Sequence, residues 1–155
     1  MNTKKILFLL LSLLPVCAIS QVITVSPTLP TDEDAVVVTF DATKASNQSL
    51  LNYTGDVYVH TGVNDWQYVI GSWGSNTTQP MLTRTGDNTY TLSISPNIRE
   101  FYGVSADEKI TQMCFVFRSS DHTKQTEDIF YNVYEQGLSV SFTTPEQSKP
   151  IYNLN

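Results

Sequence analysis

The chain has 155 residues with fifteen Asp and Glu against nine Lys and Arg, a formal charge of −6. That balance excludes a nucleic-acid partner, whose phosphates require a basic face. The length suits one domain with a sizeable core, and an acidic, soluble chain of this kind is expected to meet a neutral partner.

The N-terminus reads as an export signal. Lys4 and Lys5 precede the apolar run Ile6–Val16, and Ala18-Ile19-Ser20 supplies small residues for cleavage before Gln21. Eleven apolar residues are too few to span a bilayer, so residues 1–20 are expected to be a secretory signal peptide rather than a transmembrane helix. A rival reading makes Leu14-Pro15-Val16-Cys17 a lipoprotein signal, but Pro15 and Val16 sit where small residues are needed. Loss of Lys4 and Lys5 with the signal leaves seven basic residues against fifteen acidic ones, a charge of −8. Cys114 is then the sole cysteine, so no internal disulfide forms and an apolar core must hold the domain. Its setting, Met113-Cys114-Phe115-Val116-Phe117, predicts a packed, inert thiol.

Alternation and enrichment in β-branched and aromatic residues predict strands at Val22–Ser26, Ala35–Asp41, Asp56–His60, Gln67–Trp73, Met81–Thr85, Thr89–Ser95, Thr111–Ser119, Asp128–Tyr134 and Leu138–Phe142. Turn residues separate them: Pro27 and Pro30, Asn47–Asn52, Gly62, Gly71, Gly86-Asp87-Asn88 and Gly137. The Gly86-Asp87-Asn88 segment predicts a tight hairpin. One helical turn is expected at Pro96–Tyr102, closed by Gly103. Eight or nine short strands at this spacing predict an all-β fold, an immunoglobulin-like antiparallel β-sandwich over residues 21–144. Residues 145–155, with Pro145 and Pro150, read as a linker and the start of a following domain.

Catalytic signatures are missing from the sequence. There is no nucleophile elbow, zinc-binding helix or phosphate-cradling glycine loop, and His60 and His122 stand far apart with no metal-ligand spacing around either. A glycosidase pair drawn from Asp65 and Asp121, or Glu127 and Asp128, needs a cleft that so small a sandwich has little room to build. Asp32-Glu33-Asp34 reads as a solvated strand entry, since it lacks the glycine-punctuated loop of a calcium site. No cofactor, catalytic residue or metal ligand is expected. His60 lies out of phase with Val57 and Val59 and so points away from the face they bury.

The stretch from Asn64 to Asn76 carries both tryptophans and a tyrosine among polar residues. Flat aromatic faces flanked by amides and a carboxylate suit sugar rings, which offer apolar faces and hydroxyl edges. Each tryptophan also fits the alternative role of sandwich core. On a regular strand Trp66, Tyr68 and Ile70 share one face, with Gln67, Val69 and Trp73 on the other. That phase places Trp66 with Tyr68 at the rim as the stacking pair, puts Trp73 nearer the core, and leaves Asn64, Asp65 and Asn76 to bind hydroxyls.

Further residues carry a family likeness. The pattern Val57-Tyr58-Val59-His60-Thr61-Gly62-Val63, then Trp66, Val69, Trp73-Gly74 and Asn76, then Met81, Asn88-Thr89-Tyr90 and Ile98-Arg99-Glu100-Phe101-Tyr102-Gly103-Val104 resembles a secreted module of Bacteroidetes. Glu108-Lys109-Ile110, Phe115-Val116-Phe117-Arg118 and Asp128-Ile129-Phe130-Tyr131 extend the likeness over Val22 to Phe142. The module is the immunoglobulin-like, starch-binding-type domain that precedes the catalytic barrel in exported α-amylase-family enzymes. The resemblance implies a non-catalytic α-glucan-binding module, secreted or at the cell surface, associated with or derived from such an enzyme. A spacer of the same fold that binds no sugar is the alternative, and it predicts that both tryptophans are buried.

Overall fold

A computed structural model describes residues 21–137. The expected signal peptide with Cys17, the strand at Leu138–Phe142 and the linker at 145–155 lie outside the described residues. Among those described, seven strands form: β1 (Ile23–Ser26), β2 (Val36–Asp41), β3 (Val57–Val63), β4 (Thr83–Arg84), β5 (Thr89–Ile94), β6 (Gln112–Ser119) and β7 (Ile129–Asn132). All pairings are antiparallel, in one sheet of order β1-β2-β5-β4 and a second of order β3-β6-β7. The fold is all-β.

Period-two burial builds the core. Ile23 and Val25, then Val36, Val38 and Phe40, then Tyr90, Leu92 and Ile94 line the inner face of the first sheet. Val57, Val59 and Val63, with Met113, Phe115 and Phe117, answer them from the second. The hairpin at Gly86-Asp87-Asn88 forms as expected, with the Thr85 N–H donating to the Thr89 carbonyl at 2.9 Å. The helical turn α1 (Ile98–Tyr102) starts two residues after Pro96, the expected first residue, and Asn97 caps it: its side chain accepts from the Glu100 N–H at 2.7 Å and donates to the Glu100 carboxylate, and Gly103 closes the turn.

Two expectations fail. Gly62 does not break a strand: β3 runs on to Val63. Gln67–Trp73 is not a strand, because after Val63 the chain folds back through Asn64, Asp65 and Trp66, all with positive φ (46°, 56° and 67°). Val63 and Gln67 exchange backbone hydrogen bonds across that turn, and Ile70 N–H reaches the Thr61 carbonyl. Residues 64–80 thus form an irregular flap over the outer face of the second sheet. It returns at Pro80, whose carbonyl accepts from Val59, and Leu82 donates to Val57 before Thr83–Arg84 crosses to the first sheet. The flap explains why β6 is buried at every position from Met113 to Ser119, on both its faces.

Candidate functional site

The outer face of the second sheet is set by register. Tyr58 opposes Arg118, His60 opposes Val116, Gly62 opposes Cys114, and Cys114 opposes Phe130. Period two turns this row away from the core, and the flap then lays aromatic rings over it. Trp66 stacks on His60 at 5.2 Å with 23° between planes, and Trp73 meets the same imidazole edge-on at 4.6 Å. Phe130 meets Trp66 edge-on at 6.2 Å. Trp66 is half-buried, whereas Trp73 is 57% and Phe130 45% exposed. The result is an apolar surface with two open rings and a packed ring between them.

Gly62 permits the close approach: a Cβ there would stand 2.7 Å from the Gln67 carbonyl oxygen and 3.1 Å from Val69. Positive φ at Trp66 and at Tyr68 (50°) is costly for bulky residues, at about 1–3 kcal/mol each. Such strain persists only where surrounding contacts impose it.

Beneath the rings lies Arg118, 2% exposed, with no carboxylate paired to it among the described residues. Its Nε donates to Gln79 Oε1 at 2.6 Å, and Nη1 donates to Asn76 Oδ1 at 2.8 Å and to the Ser119 carbonyl at 3.2 Å. Nη1 also approaches His122 Nδ1 at 3.4 Å, the guanidinium sits 5.1 Å from the Tyr58 ring centre, and Nη2 has no partner among the described residues. Burial lowers the Arg118 pKa. Gln79 Nε2 in turn donates to His60 Nδ1 at 2.8 Å, and burial followed by the Arg118 charge pulls the His60 pKa below its ordinary value, with Asp128 opposing.

The structure redistributes the residues expected at a sugar site. Trp66 and Tyr68 do not pair; the Tyr68 hydroxyl donates to the Glu108 carboxylate, which raises its pKa, and no ring contact joins Tyr68 to either tryptophan among the described residues. Trp73, expected nearer the core, is the more open of the two tryptophans. Neither belongs to the buried core. Asn64 is consumed by the fold, donating to the Lys109 carbonyl at 2.6 Å and accepting from Thr111. Asn76 is held between Arg118 and the Ser120 carbonyl. Asp65 is exposed and its carboxylate makes no hydrogen bond among the described residues. Asp32 and Glu33 share Arg99, and Asp34 accepts from Thr31, so each carboxylate of that acidic run has a local partner.

A family model described as a domain of unknown function (DUF8578) matches residues 23–126. The chain belongs to that family. No curated protein matches the sequence. The DUF8578 match runs from the first residue of β1 to Thr126, whose hydroxyl accepts from the Phe117 N–H; it includes His60, Trp66, Trp73, Gln79 and Arg118 and stops short of Phe130.

Sequence reasoning on this DUF8578 domain missed Phe130, Gln79 and Arg118, and took His60 for a plain exposed side chain. Arg118 left a readable signal, a lone charge at the end of the apolar run Met113–Phe117. Phe130 and Gln79 left none, because β6–β7 register and the flap bring Phe130 to Trp66 from 64 residues away, and the flap brings Gln79 to His60 from 19.

Proposed function

We propose that this protein is a non-catalytic carbohydrate-binding module for α-glucan such as starch, exported from the cell and associated with or derived from an α-amylase-type enzyme. The observation that carries the reading is the exposed indole of Trp73 and the exposed ring of Phe130 on one face, with Trp66 packed between. Flat apolar rings at a wet surface suit the faces of glucose units, and Asp65 supplies a free acceptor for hydroxyls. Tyr68, Asn64 and Asn76 act in support of the flap on this reading. We further read the fold as an immunoglobulin-like sandwich, supported by the strand order, which corresponds to the ABED and CFG sheets of constant-type immunoglobulin domains. The spacer alternative calls for two buried tryptophans, and the exposure of Trp73 favours the glycan reading over it.

Each stacked ring contributes about 1 kcal/mol, so affinity lies in the micromolar-to-millimolar range. Retardation in an amylopectin gel tests this. Trp73→Ala and Phe130→Ala should each weaken retention about fivefold, with the double variant migrating freely. Val37→Ala, an exposed change on the other sheet, should leave migration unchanged. Wild type migrating like the double variant would overturn the reading.

A further inference from the structure

Arg118 has only N–H donors at its head, so the Gln79 oxygen must face it. The Gln79 amide nitrogen is thereby turned to His60 Nδ1, which must accept, and the imidazole proton is confined to Nε2. Rotating the Gln79 amide would set its nitrogen against Arg118 Nε, donor against donor. The chain is locked at one end by a group that keeps its protons at any working pH.

We propose that the Arg118–Gln79–His60 chain is a proton gate under the aromatic face: it holds His60 as the neutral Nε2–H ring on which Trp66 and Trp73 pack, and protonation of that ring opens the face and, on the reading of that face as a glycan site, releases the glycan. A proton on Nδ1 would point at the Gln79 NH2 group and break the bond between them. It would also set a second positive charge beside Arg118 in a half-buried position. Two groups oppose: Asp128, ahead of β7, favours the imidazolium, and the Trp66 face offers it a cation–π contact. Burial is the largest influence on His60 and Arg118 the next, and both disfavour the charge. Tyr58 on β3 turns its ring to Arg118, and His122 lies on Arg118, using its Nδ1 as an acceptor. Gln79 and Arg118 are positioning residues, since neither presents a face to the ligand.

Histidine and indole signals followed by NMR from about pH 8 to about pH 5 test the gate on the free protein. The expected result is an Nε2–H tautomer for His60 at the upper end, a midpoint below the ordinary value, and indole N–H signals of Trp66 and Trp73 moving with that midpoint. Amylopectin retention should fall at least about fivefold over the same range. In Gln79→Glu the introduced carboxylate accepts from Arg118 and from an imidazolium alike, so the midpoint should rise by about one pH unit or more. An Nδ1–H tautomer, indole signals flat through the His60 titration, or an unmoved midpoint in Gln79→Glu would overturn the gate. If that variant does not fold, the wild-type tautomer and the coincidence of midpoints decide. Absence of retention at every pH would overturn the glycan reading, with the indole titration still judging the gate.

Discussion

The ring of Phe40 in β2 lies 4.1 Å from that of Phe117 in β6, with 12° between their planes, so a single aromatic stack joins the two sheets. Tyr90 extends it along one sheet and Phe115 along the other, at 5.9 and 6.0 Å. All four rings are buried. Phe117→Ala should cost about 3–5 kcal/mol, and Phe117→Leu under about 1.5 kcal/mol, in urea unfolding. A double-mutant cycle with Phe40→Ala should show coupling of about 0.5–3 kcal/mol. Additive costs would mean the sheets are held elsewhere.

Glu127 ties the segment before β7 to the loop after β2, accepting from the backbone N–H groups of Ser46 at 2.7 Å and Asn47 at 2.9 Å. Burial acts to raise its pKa, but the N–H groups of Asn47 and Ser46 outweigh it and the net shift is downward. A depressed carboxyl stabilises the fold above its unfolded value, and the benefit fades as pH falls through the folded one. Glu127→Gln should therefore cost about 1 kcal/mol near neutrality, a figure already reduced for partial exposure. That deficit should shrink as the pH is brought down to about 3, where the carboxylate begins to take up its proton in the folded protein. An equal deficit at both pH values would show that shape, not charge, was lost.

Gly62→Ala should lift the flap. Its new methyl group meets a backbone oxygen at 2.7 Å, one that also accepts from Val63 at 2.9 Å, so the 64–66 turn must move. We expect a loss of about 1–3 kcal/mol together with red-shifted, more quenchable tryptophan emission. Gly86→Ala, where nothing lies nearer than 3.6 Å, is the matched control and should be close to neutral. Unchanged emission in Gly62→Ala would mean the flap is not seated by this contact.

The parts of the fold that a local pattern determines were readable from the sequence. Val36–Asp41, Thr89–Ile94 and Gln112–Ser119 each form within one residue of expectation, because one buried face imposes alternation on the chain. The segment Gln67–Trp73 has the same aromatic and β-branched composition, yet it forms no strand. What decides its path lies largely outside it: the missing Cβ at Gly62, the Asn64 amide tied to Lys109 and Thr111, and Thr78, whose oxygen stands 2.5 Å from where a Cβ on Gly71 would be. Loss of that strand also undid the Trp66–Tyr68 pair, which rested on strand phase alone. The tryptophan-rich segment does carry an exposed ring, Trp73, while its arrangement around His60 depends on β3–β6 register that no local window contains.

Cys114 offers an independent clock for the flap. Its thiol is buried on the outer face of β6, between Gly62 and Phe130 in the register, and burial raises its pKa against the opposing backbone N–H groups of Trp66 and Asp65. A thiol in that position reacts only when its cover opens, so its labelling rate reports opening of residues 64–66. In a Cys17→Ser background, a disulfide reagent should modify the native protein at least about a hundredfold more slowly than the unfolded chain. Gly62→Ala should accelerate native labelling about tenfold, while Phe117→Leu should change it less, if the opening is local to the flap and not global. Labelling of wild type at the unfolded rate would mean that the flap does not close over β6. Equal acceleration by both substitutions would mean that the flap and the two sheets open together, as one cooperative unit.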